Sequence, residues 1–183
     1  MDSVLIKPKP DYNAIFLKIV EDGDTQALTE LLDNTHESDI DLESRNESGC
    51  PALLIACKKG HADIVELLLK ADCDVHNLDV DNTTALDKAS SGGYSEIVKM
   101  LLNAGCDKDH EGFFGSRPLI YASGNGHVDI VKILLKAGYD KNYHTGSGLT
   151  ACGLARRRGH QKIVELLTQK ESSVGEPVHM LVS

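Results

Sequence analysis

Gly60-His61, Gly93-Tyr94, Gly126-His127 and Gly159-His160 recur along the chain at intervals of 33 residues. Each pair is followed by the same apolar set: Ile64-Val65 with Leu67-Leu68, Ile97-Val98 with Met100-Leu101, Ile130-Val131 with Ile133-Leu134, and Ile163-Val164 with Leu166-Leu167. A fixed period of this length is the signature of stacked supersecondary units that bury their apolar faces on one another. It also moves the question of function from a pocket to a long surface.

One unit can be read physically. Pro51 to Lys58 is predicted as a short helix, and Gly60 stands where a left-handed residue must end it. His61 to Lys70 is a second helix, with Val65, Leu68 and Leu69 on one face. Ala71-Asp72 closes it, where later copies have Ala104-Gly105 and Ala137-Gly138. The polar stretch from Asn77 to Asn82 is turn-like, so a tip or hairpin precedes the next short helix. Thr84 and Thr150 stand at N-cap positions. Pro118 fits a first helical turn, where its missing N–H is not needed.

This unit resembles the ankyrin repeat, whose pattern is roughly D-x-x-G-x-T-P-L-H-x-A-A-x-x-G-H-x-x-I-V-x-L-L-L-x-x-G-A-D-x-N. The likeness runs from Ser44 to about Gln169 and is closest in the second half of each unit. The T-P-L-H position departs: it reads Pro51-Ala52-Leu53-Leu54, Thr84-Ala85-Leu86-Asp87, Arg117-Pro118-Leu119-Ile120 and Thr150-Ala151-Cys152-Gly153. No copy keeps the family's His, which ties adjacent hairpins together. The resemblance implies an all-α ankyrin-repeat solenoid of helix-turn-helix units with β-hairpin or loop tips. Repeats are expected near 11–43, 44–76, 77–109, 110–142 and 143–170, between an N-terminal tail (1–10) and a flexible C-terminal tail (171–183). The first copy is degenerate. Gly23 and Gly60 are 37 apart, so about four extra residues are expected within Asn34 to Asp39. Thr168 replaces the leucine of earlier copies (Leu69, Leu102, Leu135), as an end unit would, which suits a complete domain.

Composition removes several classes of function. No apolar run approaches ~18 residues, so no membrane span is expected. Five cysteines, an odd number and none in a C-x-x-C pair, read as small core residues in a reducing compartment. The expected location is therefore the cytoplasm, with the nucleus as a second site. Net charge is −9, with 11 acids against 4 bases in residues 1–45 and 3 acids against 6 bases in 141–183. Overall acidity argues against nucleic acid, which demands a clustered basic footprint. Phosphate-loop, nucleophile-elbow and H-E-x-x-H motifs are all missing from the sequence. His61, His127 and His160 repeat one position about a repeat apart, near 10 Å by helix packing, too far for ~2 Å metal bonds. No catalytic residue, cofactor or metal is expected.

Members of the family generally bind proteins through the tips and the exposed face of the first helices. Carried onto this sequence, that implies tips at Glu47–Cys50, Val80–Thr83, Phe113–Ser116 and Gly146–Leu149. Phe113 and Phe114 are two of only three Phe in the chain. Either they form a partner's anchor, or one folds under the hairpin to cover its neighbour. A concave ladder is expected through Ile55, Lys88, Tyr121 and Leu154. Beside it lies a second ladder whose basic members are Lys58, Lys59, Arg157 and Arg158, with Tyr143 near the last tip. Apolar residues flanked by bases would suit an acidic amphipathic segment, although the bases also fit a merely solvated face. The expected function is a monomeric, non-enzymatic binding module or adaptor. The alternatives are a stoichiometric inhibitor or regulatory subunit of an enzyme such as a kinase, and a self-associating structural protein joined through its acidic and basic ends.

Overall fold

Ten α-helices form five antiparallel pairs in the computed structural model, which describes residues 10–34 and 40–169. The pairs are α1 (Tyr12–Asp22) with α2 (Thr25–Asn34), α3 (Ala52–Lys59) with α4 (Ala62–Lys70), and α5 (Ala85–Gly92) with α6 (Ser95–Asn103). They continue as α7 (Pro118–Asn125) with α8 (Val128–Lys136) and α9 (Ala151–Arg157) with α10 (Gln161–Thr168). First helices pack in the order α1, α3, α5, α7, α9, and second helices run alongside them in the same order. Expectations about both tails and the extra residues after the first copy fall almost wholly outside the described residues.

The 33-residue period is a set of buried columns. Ile64, Ile97, Ile130 and Ile163 form one, and Leu68, Leu101, Leu134 and Leu167 another. Each fully buried Ile or Leu contributes about 2 kcal/mol in transfer terms. Between the first helices the column is Ala56, Ala89, Ala122 and Ala155, all fully buried, so the helices approach closely. Helix ends follow the sequence signals. Thr84 accepts from the Asp87 N–H, Thr150 accepts from the Gly153 N–H, and Pro118 opens α7.

The residue after each turn glycine does more than start a helix. The His127 ring lies over Gly93, whose φ is +85°; a Cβ built there would sit 2.8 Å from His127 Cε1. Only glycine fits that combination of left-handed backbone and close approach. His127 Nε2 lies 3.0 Å from the Ser91 carbonyl, and His160 Nε2 lies 3.0 Å from the Gly124 carbonyl. Both carbonyls belong to last helical turns that lack an intrahelical partner. The bonds put the proton on Nε2. Each imidazole therefore caps the first helix of the preceding repeat.

Tips are turns, not ladders: among the described residues the only β pairing is two isolated bridges, Arg45 to Pro51 and His144 to Thr150. Side chains take the place of strands. Asn46 Oδ1 accepts from the Ser48 and Cys50 amides, and Asp79 Oδ1 accepts from those of Asp81 and Thr83. Neighbouring tips are tied without the family's His. Arg45 donates to the Leu78 carbonyl at 2.7 Å, Asn82 Nδ2 donates to the Glu111 carbonyl at 3.0 Å, and Tyr143 donates to the Gly115 carbonyl at 2.7 Å.

Candidate functional site

Between the third and fourth helix pairs the tip rises as a finger. Gly112 and Ser116 close it through an N–H to carbonyl bond of 2.8 Å, and Phe113 to Gly115 make a single 3-10 turn. Phe114 sits at its apex in the left-handed region, φ 56°. That conformation is rare for a bulky residue and persists only where surrounding bonds enforce it. Two such bonds are present. Tyr143 donates to the Gly115 carbonyl, and the Arg117 guanidinium lies 3.9 Å over the Tyr143 ring while reaching Asp109 and Glu111 at 3.3 Å. The finger holds Phe113 and Phe114 with ring centroids 4.1 Å apart, and they are 48% and 80% exposed. Neither ring folds beneath the hairpin.

Beside the finger runs a groove of about 210 Å³, bordered by Phe113, Tyr121, Lys88 and the carboxylates Asp81 and Asp87. Lys88 Nζ lies 2.6 Å from Asp79 Oδ2. Burial alone would raise the Asp79 carboxyl, but the bonds from Lys88 and Thr83 outweigh it and leave it below its ordinary value. Asp87 is 2% exposed. Its Oδ2 accepts from the Thr84 N–H and hydroxyl at 2.9 and 2.8 Å, while Oδ1 has no hydrogen-bond partner among the described residues. Burial pushes this carboxyl up to about 6, against the Thr84 bonds and the charges of His110 and Lys88, which pull it down. Burial also raises the Tyr121 phenol, helped by Asp87, Asp79 and Asp81. The field in the groove is therefore negative.

The fold brings together Phe113, Phe114, Lys88 and Tyr121 of the residues expected at a partner surface. It places Tyr143 behind the finger as its clamp. Ile55 and Leu154 are corrected: they are 5% and 7% exposed, so they belong to the core and offer a partner no area. α3 is sandwiched between α1 and α5, which covers Ile55. Leu154 fills the space left by Gly124, where a built Cβ would come within 2.5 Å of Leu154 Cδ2. The basic ladder splits. Arg158 donates to the Gly124 carbonyl and to Asn125 Oδ1, both at 2.9 Å, and Lys59 faces Glu21 at 3.8 Å. Lys58 and Arg157 are exposed, with no ion pair among the described residues.

Sequence reasoning missed Asp87 and Arg117. The signal was a departure from the repeat pattern: Asp87 occupies the position of the family's His, and Arg117 that of its Thr. Among the described residues no group of His, Cys, Asp or Glu is arranged to hold a metal ion, and no helix is long and apolar enough to cross a membrane.

The family model for ankyrin repeats in three copies matches residues 16–112 and again 104–177. No curated protein matches the sequence. With helix pairs, left-handed glycine turns and buried columns at the family's spacing, the chain belongs to the ankyrin-repeat family.

Proposed function

We propose that the chain is a non-catalytic protein-binding module, an adaptor that grips its partner by the Phe113-Phe114 finger and the concave groove beside it. Ankyrin repeats are generally protein-interaction modules, and the family is typically non-enzymatic. The observation that carries the reading here is Phe114: an aromatic ring 80% exposed, in a backbone conformation that Tyr143 and Arg117 clamp in place. A large apolar side chain displayed rigidly can bury area on a partner at little entropic cost. Such anchors dominate interface energetics. Lys58 and Arg157, on the last turns of α3 and α9, would meet the acidic flanks of a bound amphipathic segment.

The module acts as a monomer in the cytoplasm, with the nucleus as a second location. The support for the compartment is the five cysteines, an odd number with no C-x-x-C pair and all free, of which Cys73 lies in the core and Cys106 packs against it. Such groups behave as small apolar side chains.

Affinity capture with mass spectrometry, comparing the wild-type chain with Phe114→Ser, tests the assignment. The captured partner should weaken by about 2 kcal/mol, roughly 30-fold, a hot-spot effect. The urea midpoint should stay unchanged, because the ring is exposed. An identical captured set with both proteins would remove the finger from the interface.

A further inference from the structure

We propose that the groove between α5 and the finger receives the guanidinium of one arginine side chain presented by the protein partner. The inference rests on the partner-binding reading above and names the chemistry of the residue that fills its centre.

Size comes first. At about 210 Å³ the groove is smaller than the ~300–1,000 Å³ typical of sites that enclose a metabolite. It suits one long side chain better than a whole small molecule. Charge comes next. Lys88 is matched by Asp79 at 2.6 Å, so it does not neutralise the remaining acids. Asp81, on the exposed rim, and Asp87, on the buried floor, are left in excess. Asp87 Oδ1 has no hydrogen-bond partner, a condition rare for a buried polar atom. It is sealed from solvent, so Asp87 acts on a guest through its field, and Asp81 supplies direct contact. Besides Lys88, the titratable groups around Asp87 are the Tyr121, Tyr139 and Cys106 side chains and His110, whose Nε2 is committed to the Asn82 carbonyl at 3.0 Å.

The walls decide between cations. Phe113 and Tyr121 border the groove and offer π surface. A guanidinium is planar, stacks on aromatic rings, is weakly hydrated and can bond a carboxylate in a fork. An ammonium is a strongly hydrated point charge and uses none of the aromatic wall as well. A divalent ion would need several oxygen ligands converging at ~2.0–2.6 Å, and no such grouping exists among the described residues.

Two measurements on the full chain test this. In the first, Nα-acetyl-arginine N-methylamide is titrated into isotopically labelled protein and read by amide chemical shifts. Saturable shifts are expected at Asp81, Phe113 and Tyr121. The citrulline analogue, isosteric but uncharged, should bind at least tenfold more weakly, and Asp81→Asn should weaken the arginine probe at least threefold. Asp81 is exposed, so this variant keeps the wild-type spectrum elsewhere. Equal responses to arginine and citrulline, or shifts only elsewhere, overturn the proposal.

In the second, random twelve-residue peptides are selected against the chain. Peptides with a required arginine, weakened at least tenfold by Asp81→Asn, support it. Peptides that lose binding with Phe114→Ser yet need no arginine overturn the arginine site and leave the finger as the interface. Peptides indifferent to Phe114→Ser count against the broader binding reading, and the arginine probe then reports on the groove independently.

Discussion

Asp87 closes the N-terminus of α5 with a carboxylate that has almost no water around it. The Thr84 hydroxyl and amide hold one oxygen, and the Asp87 amide returns a bond to Thr84 Oγ1, forming a capping box. Caps of this kind stabilise a helix by about 1 kcal/mol. Burial works against it and raises the carboxyl from 3.8 to about 6. Between these values the folded chain keeps a proton that the unfolded chain has released. By linkage, this group's contribution to stability therefore falls as pH rises from about 4 to about 6, and is lost above that. The full effect is on the order of 2–3 kcal/mol. Asp87→Asn keeps an acceptor for the Thr84 amide and cannot ionise. Urea melts from pH 4 to 7 should show the variant gaining on wild type across that window, with the gain complete near pH 7. A difference that stays constant with pH would mean that Asp87 is as well solvated in the folded chain as in the unfolded one.

At the level of helices and turns, the histidines that precede α4, α8 and α10 also cap the first helix of the repeat before them. Gly93 and Gly105 separate the components of that arrangement. Both have φ above +80°, but His127 covers Gly93, while a Cβ on Gly105 would meet nothing within 4 Å. Gly105→Ala should carry only the left-handed penalty, about 1 kcal/mol. Gly93→Ala must also displace the His127 ring and its bond to Ser91, about 1–2 kcal/mol more. A double-mutant cycle with His127→Ala should return a coupling of about 1 kcal/mol between Gly93 and His127. Additive effects would show that the ring caps nothing. The glycines, the helix pairs and the threonine caps were legible because they obey rules acting within a few residues. The imidazole contact was not, because it joins positions 34 and 36 residues apart. The same limit explains Ile55 and Leu154. Their helix faces are readable, but what covers them belongs to neighbouring repeats. The finger was half legible: its paired Phe stood out, whereas the clamp by Tyr143 comes from the next unit.

At the scale of the whole stack, principal packing among the described residues joins only neighbouring repeats: α1 with α3, α3 with α5, and so on, with the second helices alike. In such a stack, stability approximates a sum of unit and interface contributions, and a defect weakens most strongly the units it touches. The proposed finger and groove lie at the third and fourth helix pairs, away from the degenerate first copy. Phe16 in α1 and Leu134 in α8 are both fully buried, so truncating either to Ala should cost about 3–5 kcal/mol locally. The consequences should differ. Phe16→Ala should reduce amide-exchange protection mainly in α1 to α3, leave α8 near wild type, and leave Tyr121 responsive to a bound ligand. Leu134→Ala should lower protection in α7 to α10, loosen the base of the finger and weaken partner binding through loss of the platform. Hydrogen exchange resolved by residue distinguishes the two patterns. If both variants lower protection uniformly along the chain, the stack unfolds as one cooperative body. The finger's binding competence would then depend on the first repeat as much as on its own.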